Sequence, residues 1–310
     1  MDVFIESIAR KELNMALTIN TNLSSIVAQS NLAKATGSLN TAIERMTTGY
    51  KINHASDNAA GYSIARNWET QLGSLDVAAD NAATGGDMLT TLEDNYSLVT
   101  SHLQRVRDLT EQAANGTYGS QSLKAIKSEI TARLEEINRI SANCEFNGLK
   151  MMDGSMGNIK LQVGLYSSAD SQIELKEDLF KEGDVTSMFK DAAGVNAGDA
   201  TVEKLAEACA GINDTGIIGG QTAMLDKIDK VINEISSRVT TLGSAQNRIE
   251  SAIESIGVQS ENITSSLSTL RDADIAEESS SYIQAQILQQ AAATLLATAN
   301  QTPSIALNLL

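Results

Sequence analysis

Stepping alternately by three and four residues from Leu225 meets Ile228, Ile232, Ile235, Val239, Leu242, Gln246, Ile249, Ile253, Ile256, Ser260, Ile263, Leu267 and Leu270. All but Gln246 and Ser260 are apolar. This is a heptad seam, and at 1.5 Å rise per residue it predicts a helix of roughly 70 Å. The first half of the chain carries its own seam at Leu75, Ala78, Ala82, Gly85, Leu89, Leu92, Tyr96, Val99, Leu103, Val106, Thr110 and Ala113, followed by the stop signal Asn115-Gly116. A third amphipathic stretch begins after Ser120 and uses Leu123, Ile126, Ile130, Leu134 and Ile137, with Asn147-Gly148 soon after. Three helices can share one seam without metal or disulfide, because each buried Leu or Ile contributes about 1.5–3 kcal/mol before entropy is subtracted.

Between the helical halves the pattern shortens to Lys150-Met151-Met152, Ile159–Val163 and Ile173–Leu175, broken by Asp153-Gly154 and Ser167-Ser168. These runs predict one or two β-hairpins. Residues 178–221 are glycine-rich around one helical stretch near Val202–Ala210, and read as a small surface insertion. The fold class expected is mainly α, a long antiparallel coiled-coil rod with a small β-hairpin region and a short variable insertion.

Charge changes the picture at the ends. Leu13–Ala33 and Ser279–Leu310 hold no charged residue, although the net charge is −16. Charged side chains are the least often buried, so two charge-free ends on an acidic chain point to burial against something else. Gln284, Gln286, Gln289 and Gln290 argue against lipid. Ile283, Ile287, Leu288, Ala291, Leu295 and Leu296 argue against a merely solvated tail, and a helix packed among protein helices fits both.

Composition agrees. A single proline, Pro303, and 4% aromatic residues favour long uninterrupted helices, while the negative charge disfavours nucleic acid and anionic membranes. The N-terminus is acidic where a Sec signal is basic, and no apolar run is long enough to span a bilayer. Cys144 and Cys209 lack disulfide or zinc spacing and read as inert thiols. His54 and His102 fit no catalytic motif, and the glycines form neither a P-loop nor a dinucleotide fingerprint. The chain is expected to be no enzyme and to carry no cofactor and no metal.

Both ends then match one family. Met15–Asn22 (MALTINTN), Ala42–Gly49 (AIERMTTG), Ile52–Gly61 (INHASDNAAG), Ala285–Ala291 (AQILQQA), Ala299–Pro303 (ANQTP) and the final Leu307–Leu310 (LNLL) resemble bacterial flagellin. The resemblance covers roughly 15–177 and 222–310. It implies an inner coiled-coil domain, 15–58 with 271–310, that orders on polymerisation, and a helical rod domain, 59–177 with 222–270, with 178–221 as a variable surface insertion. The outermost domains of larger flagellins are nearly absent.

The resemblance further implies an extracellular filament subunit for swimming, exported by the flagellar type III route. Expected partners are copies of itself, an export chaperone, and cap and hook-associated proteins. The subunit-packing residues are expected to be Ile19, Leu23, Leu32, Leu39, Ile43, Met46, Ile283, Ile287, Leu288, Leu295, Leu296, Leu307, Leu309 and Leu310. Gln104, Arg105, Arg107, Leu109 and Glu129 resemble the patch that vertebrate Toll-like innate receptors recognise, with Arg105 and Leu109 expected to stay accessible. Residues 1–14 precede the usual family start, and the mature protein is expected to begin near Met15. The competing readings are a hook-filament junction protein, and a secreted coiled-coil protein such as an adhesin.

Overall fold

The computed structural model describes residues 21–196, 199–213 and 215–308, with side chains as far as Gln301. Residues 1–14, Ile19, Leu309, Leu310 and the side chain of Leu307 lie outside the described residues. The elements run α1 (Leu23–Thr48), α2 (Ala59–Ala114), α3 (Ser120–Asn143), β1 (Glu145–Phe146), β2 (Leu149–Lys150), β3 (Ile159–Gln162) and β4 (Gln172–Leu175). Then follow α4 (Val185–Ala193), α5 (Val202–Ala210), β5 (Ile212–Asn213), β6 (Gly216–Ile217), α6 (Gln221–Arg271) and α7 (Ile275–Asn308). The protein is mainly helical, with long antiparallel helix pairs and small two-stranded sheets, β1–β2, β3–β4 and β5–β6. The described residues separate into two units, one of those up to 69 with those from 263 onward and one of those between 70 and 262.

The larger unit follows the seams closely. Every position of the N-terminal seam from Leu75 to Ala113 is buried, as are Leu123, Ile126, Ile130, Leu134 and Ile137 of α3. Arg107 on α2 pairs with Asp229 on α6 at 2.6 Å, and Gln246 donates to Glu93 at 2.9 Å. As one number rises the other falls, so α2 and α6 are antiparallel. The Arg105–Glu129 ion pair at 2.9 Å ties α2 to α3.

The α6 register differs from expectation at alternate positions. Ile228, Ile235, Leu242, Ile249 and Ile256 are buried as read, but their companions are Met224, Val231, Arg238 and Ala245 rather than Leu225, Ile232, Val239 and Gln246. Ile253 is exposed. The reason is Arg238, which a hydrophobic pattern cannot place in a core. Its guanidinium donates to the Glu182 carbonyl at 3.2 Å and pairs with Glu234 at 3.3 Å, so the buried charge is satisfied.

Residues 178–221, read above as a surface insertion, instead supply Phe180, Phe189, Leu205, Cys209 and Ile212 to the same core as α2, α3 and α6. The α5 helix matches the expected stretch. The α4 helix was not read in the sequence: it is capped by Asp184, whose carboxylate accepts from Thr186 and Ser187, and it ends on Gly194 with φ 63°.

The β3–β4 hairpin pairs Ile159 with Leu175 and Gln162 with Gln172. It lies over α2 at Gly85, where any added Cβ would collide with the Leu161 side chain. Gly85 is therefore a contact point for the hairpin as well as a seam position.

Candidate assembly surfaces

The smaller unit is built on α1 and α7. The seam they share is small: Ala28, Ala35 and Ala42 on α1 face Ala285 and Ala292 on α7, all buried and seven residues apart. Short side chains let two helices approach closely, and side-chain size at the contact sets interaxial distance. Asn22 donates to the Ala299 carbonyl at 2.6 Å, Gln289 to Thr36 at 3.1 Å, and Arg45 pairs with Glu278 at 3.0 Å. These partners fix an antiparallel register along the pair.

The alanine seam sorts the expected packing residues into two sets. Leu32, Leu39, Met46 and Leu296 are half-buried beside the alanines. Leu23, Ile43, Ile283, Ile287, Leu288 and Leu295 point outward, Leu23 being 69% and Leu295 63% exposed, with Ile26 and Val27 beside them. A soluble surface rarely gathers so many large apolar side chains, and such patches mark interaction sites. The alanines were missed because a heptad of short side chains gives little hydrophobic signal. Their seven-residue spacing was the available clue.

A second feature missed from sequence ties the two chain halves together next to this pair. Gly49 ends α1 with φ 75°, its N–H donating to the Arg45 carbonyl at 2.8 Å. Lys51 N–H then donates to the Arg271 carbonyl at 2.7 Å, and Ala273 N–H to the Gly49 carbonyl at 2.8 Å, around the isolated Tyr50–Asp272 bridge. Arg271 stacks over the Tyr50 ring at 4.2 Å and pairs with Glu69. The following loop is close-packed at Gly61, whose Cβ would meet Ile52 Cδ1 at 2.9 Å. Asp274 caps α7 by accepting from the Ala276 N–H at 2.8 Å.

Asp57 organises that loop by accepting from the N–H groups of His54 at 2.9 Å and Asn53 at 3.1 Å. These bonds hold its carboxyl below the ordinary 3.8. A depressed folded pKa means that the stabilisation is complete above the unfolded value and is lost as pH falls through the lower, folded one. An NMR titration should therefore show the His54 and Asn53 amides shifting with a midpoint below 3.8, the shifts vanishing in Asp57→Ala. A midpoint at or above that value would contradict this geometry.

On the larger unit, Gln104 is exposed, Arg105 and Glu129 pair with one another, and Arg107 is held by Asp229 and Glu111. Leu109 was expected to stay accessible and does not: it is only 2% exposed, because α2 turns it into the core. Both cysteines are buried and free. Burial pushes the Cys144 thiol up to about 11 and the Cys209 thiol up to about 12. Neither should be alkylated by iodoacetamide in mildly alkaline buffer until the protein is unfolded, as mass spectrometry of the intact chain will report.

The ends of the chain pair on alanines and present their larger apolar side chains outward. The chain is a structural, helical subunit. Models of the bacterial flagellin N-terminal helical region and C-terminal helical region match residues 19–156 and 225–310. The chain is 35% identical to the flagellin of Xenorhabdus nematophila, over 96% of this chain and 100% of that one. It is 32% identical to the flagellin of Bacillus subtilis strain 168, over 95% and 100%. A solved structure of a candidate flagellar hook-associated protein from Vibrio parahaemolyticus shares the fold, with a TM-score of 0.57 at 14% identity, covering 70% of this chain and 100% of that one. The chain belongs to the bacterial flagellins, the non-enzymatic subunits of the extracellular filament that serves motility.

Proposed function

We propose that the outward apolar face of α1 and α7, carried by Leu23, Ile43, Ile283, Ile287, Leu288 and Leu295, is the surface that neighbouring subunits bury in the filament. The observation that carries this is the division of labour in the terminal pair: alanines close it, and the larger side chains are left over. Each Ile or Leu buried by a neighbour contributes about 1.5–3 kcal/mol, repeated at every subunit. Ile19, Leu307, Leu309 and Leu310 extend the same charge-free ends and belong to the same proposal.

The test is seeded growth. Replacing Ile287 and Leu288 together by Ser should stop sheared filaments from lengthening, as seen by negative-stain electron microscopy, while the monomer keeps its helical circular dichroism. Normal growth of that variant would refute the assignment. Before assembly the same face is apolar enough to require cover, which fits an export chaperone bound to the C-terminal segment on the type III route, with cap and hook-associated proteins meeting it at the filament ends.

The surface formed by Gln104, Arg105, Arg107 and Glu129 is a second proposal, resting on the exposure of Gln104 and Arg105 and on the Arg105–Glu129 pair between adjoining helices, with Arg107 and Glu129 half-buried beside them. There a Toll-like innate receptor would meet the monomer. Arg105→Ala should weaken activation of receptor-reporter cells, and Leu109 would act only by supporting the helix from inside.

A further inference from the structure

Two exposed Asn-Gly pairs lie outside α1 and α7: Asn115-Gly116, just beyond α2, and Asn147-Gly148, in the β1–β2 turn. We propose that Asn115 is a site of spontaneous deamidation, with the Gly116 amide as nucleophile and water as the co-reactant. Glycine has no Cβ to shield its N–H, and both residues of the pair are open to solvent.

The Asn115 side chain is held in a helpful way. Its Oδ1 accepts from the Thr117 N–H at 3.3 Å. When the Gly116 nitrogen adds to Cγ, negative charge builds on that oxygen, and a donor already aimed there stabilises it. The Gly116 N–H gives up its proton to solvent, the N–Cγ bond forms, the Cγ–Nδ2 bond breaks, and ammonia departs with a proton. Water then opens the five-membered imide at either carbonyl, leaving aspartate or isoaspartate. No electron is gained or lost.

Local restraint separates the two pairs. The turn at Asn115 is closed by its N–H to the Gln112 carbonyl at 3.2 Å and by the Tyr118 N–H to its own carbonyl at 3.4 Å, at a helix end that frays first. Asn147 and Gly148 instead both sit at positive φ, 49° and 80°, in a two-residue hairpin turn. Flanking pairs Phe146–Leu149 and Glu145–Lys150 and the Met151 N–H to the Cys144 carbonyl at 3.0 Å hold that turn shut. Ring closure rotates the backbone after the asparagine, which the α2 end tolerates and the hairpin does not.

The product places a new negative charge beside the carboxyl end of α2, where the helix dipole disfavours it, and isoaspartate adds a methylene to the α2–α3 connection. The test ages the full-length chain in mildly alkaline buffer, with circular dichroism confirming that it stays folded, and maps peptides by mass spectrometry. A heat-unfolded sample gives the reference in which both pairs convert at similar rates. Conversion at Asn115 several-fold faster than at Asn147 in the folded chain, slowed several-fold by Gly116→Ala with Asn147 unchanged, is the expected result. Equal or faster conversion at Asn147, or no slowing in Gly116→Ala, would overturn the proposal.

Discussion

A chain ending at Glu278 should fail to lengthen filament seeds, while its core of residues 70–262 unfolds at the same temperature as in the full-length monomer. The deletion takes Ala285 and Ala292 from the alanines of α1, and with them the outward side chains of α7. It leaves untouched the core of α2, α3, α4, α5 and α6, which lies in a separate unit. Electron microscopy of seeded mixtures reads the first effect and calorimetry the second. Growth by the truncated chain would show that α1 alone suffices.

Leu103→Ala should do the reverse. Leu103 is fully buried in the α2 seam, among the side chains of the larger core. Removing most of a buried leucine loses its transfer free energy and leaves a cavity, costing about 2–5 kcal/mol. In a unit of this size each kcal/mol lowers the melting temperature by about 2–4 °C. Calorimetry of the monomer should show this fall. Seeded growth at low temperature should survive, since none of the outward residues of α1 and α7 is touched. An unchanged melting temperature would mean that the α2 seam does not carry the stability assigned to it.

The sequence was most legible where large apolar side chains repeat on one face. The α2 seam, the α3 stripe and the boundary at Asn115-Gly116 follow from spacing and turn chemistry, whereas Asn147-Gly148, read as closing the third helical segment, turns the β1–β2 hairpin after α3 has ended at Asn143. The α6 register slipped at alternate positions because Arg238 occupies a core place and Ile232 and Val239, flanking the true face, are apolar too. The α4 helix was missed because nine residues are too few to display a period, although Asp184 and Gly194 mark its ends.

For the proposed assembly surfaces, absence of charge pointed to both termini, but which side chains there are buried and which face outward was not readable. That division depends on which helix face meets the partner, and here alanine, the side chain with least hydrophobic signal, makes the contact. The tie of Gly49, Tyr50 and Lys51 to Arg271 and Ala273 joins residues far apart in the chain, and only the fold brings them together.

If neighbouring subunits bury the outward apolar face of the terminal pair, assembly must slow the opening of those two helices. Hydrogen–deuterium exchange compared between monomer and assembled filament tests it most directly. Amides of Leu23–Thr48 and of α7 from Ile275 to Gln301 should gain strong protection on assembly, while those of Leu75–Ala113, already in a packed core, change little. Equal exchange of the terminal helices in monomer and filament would contradict the account.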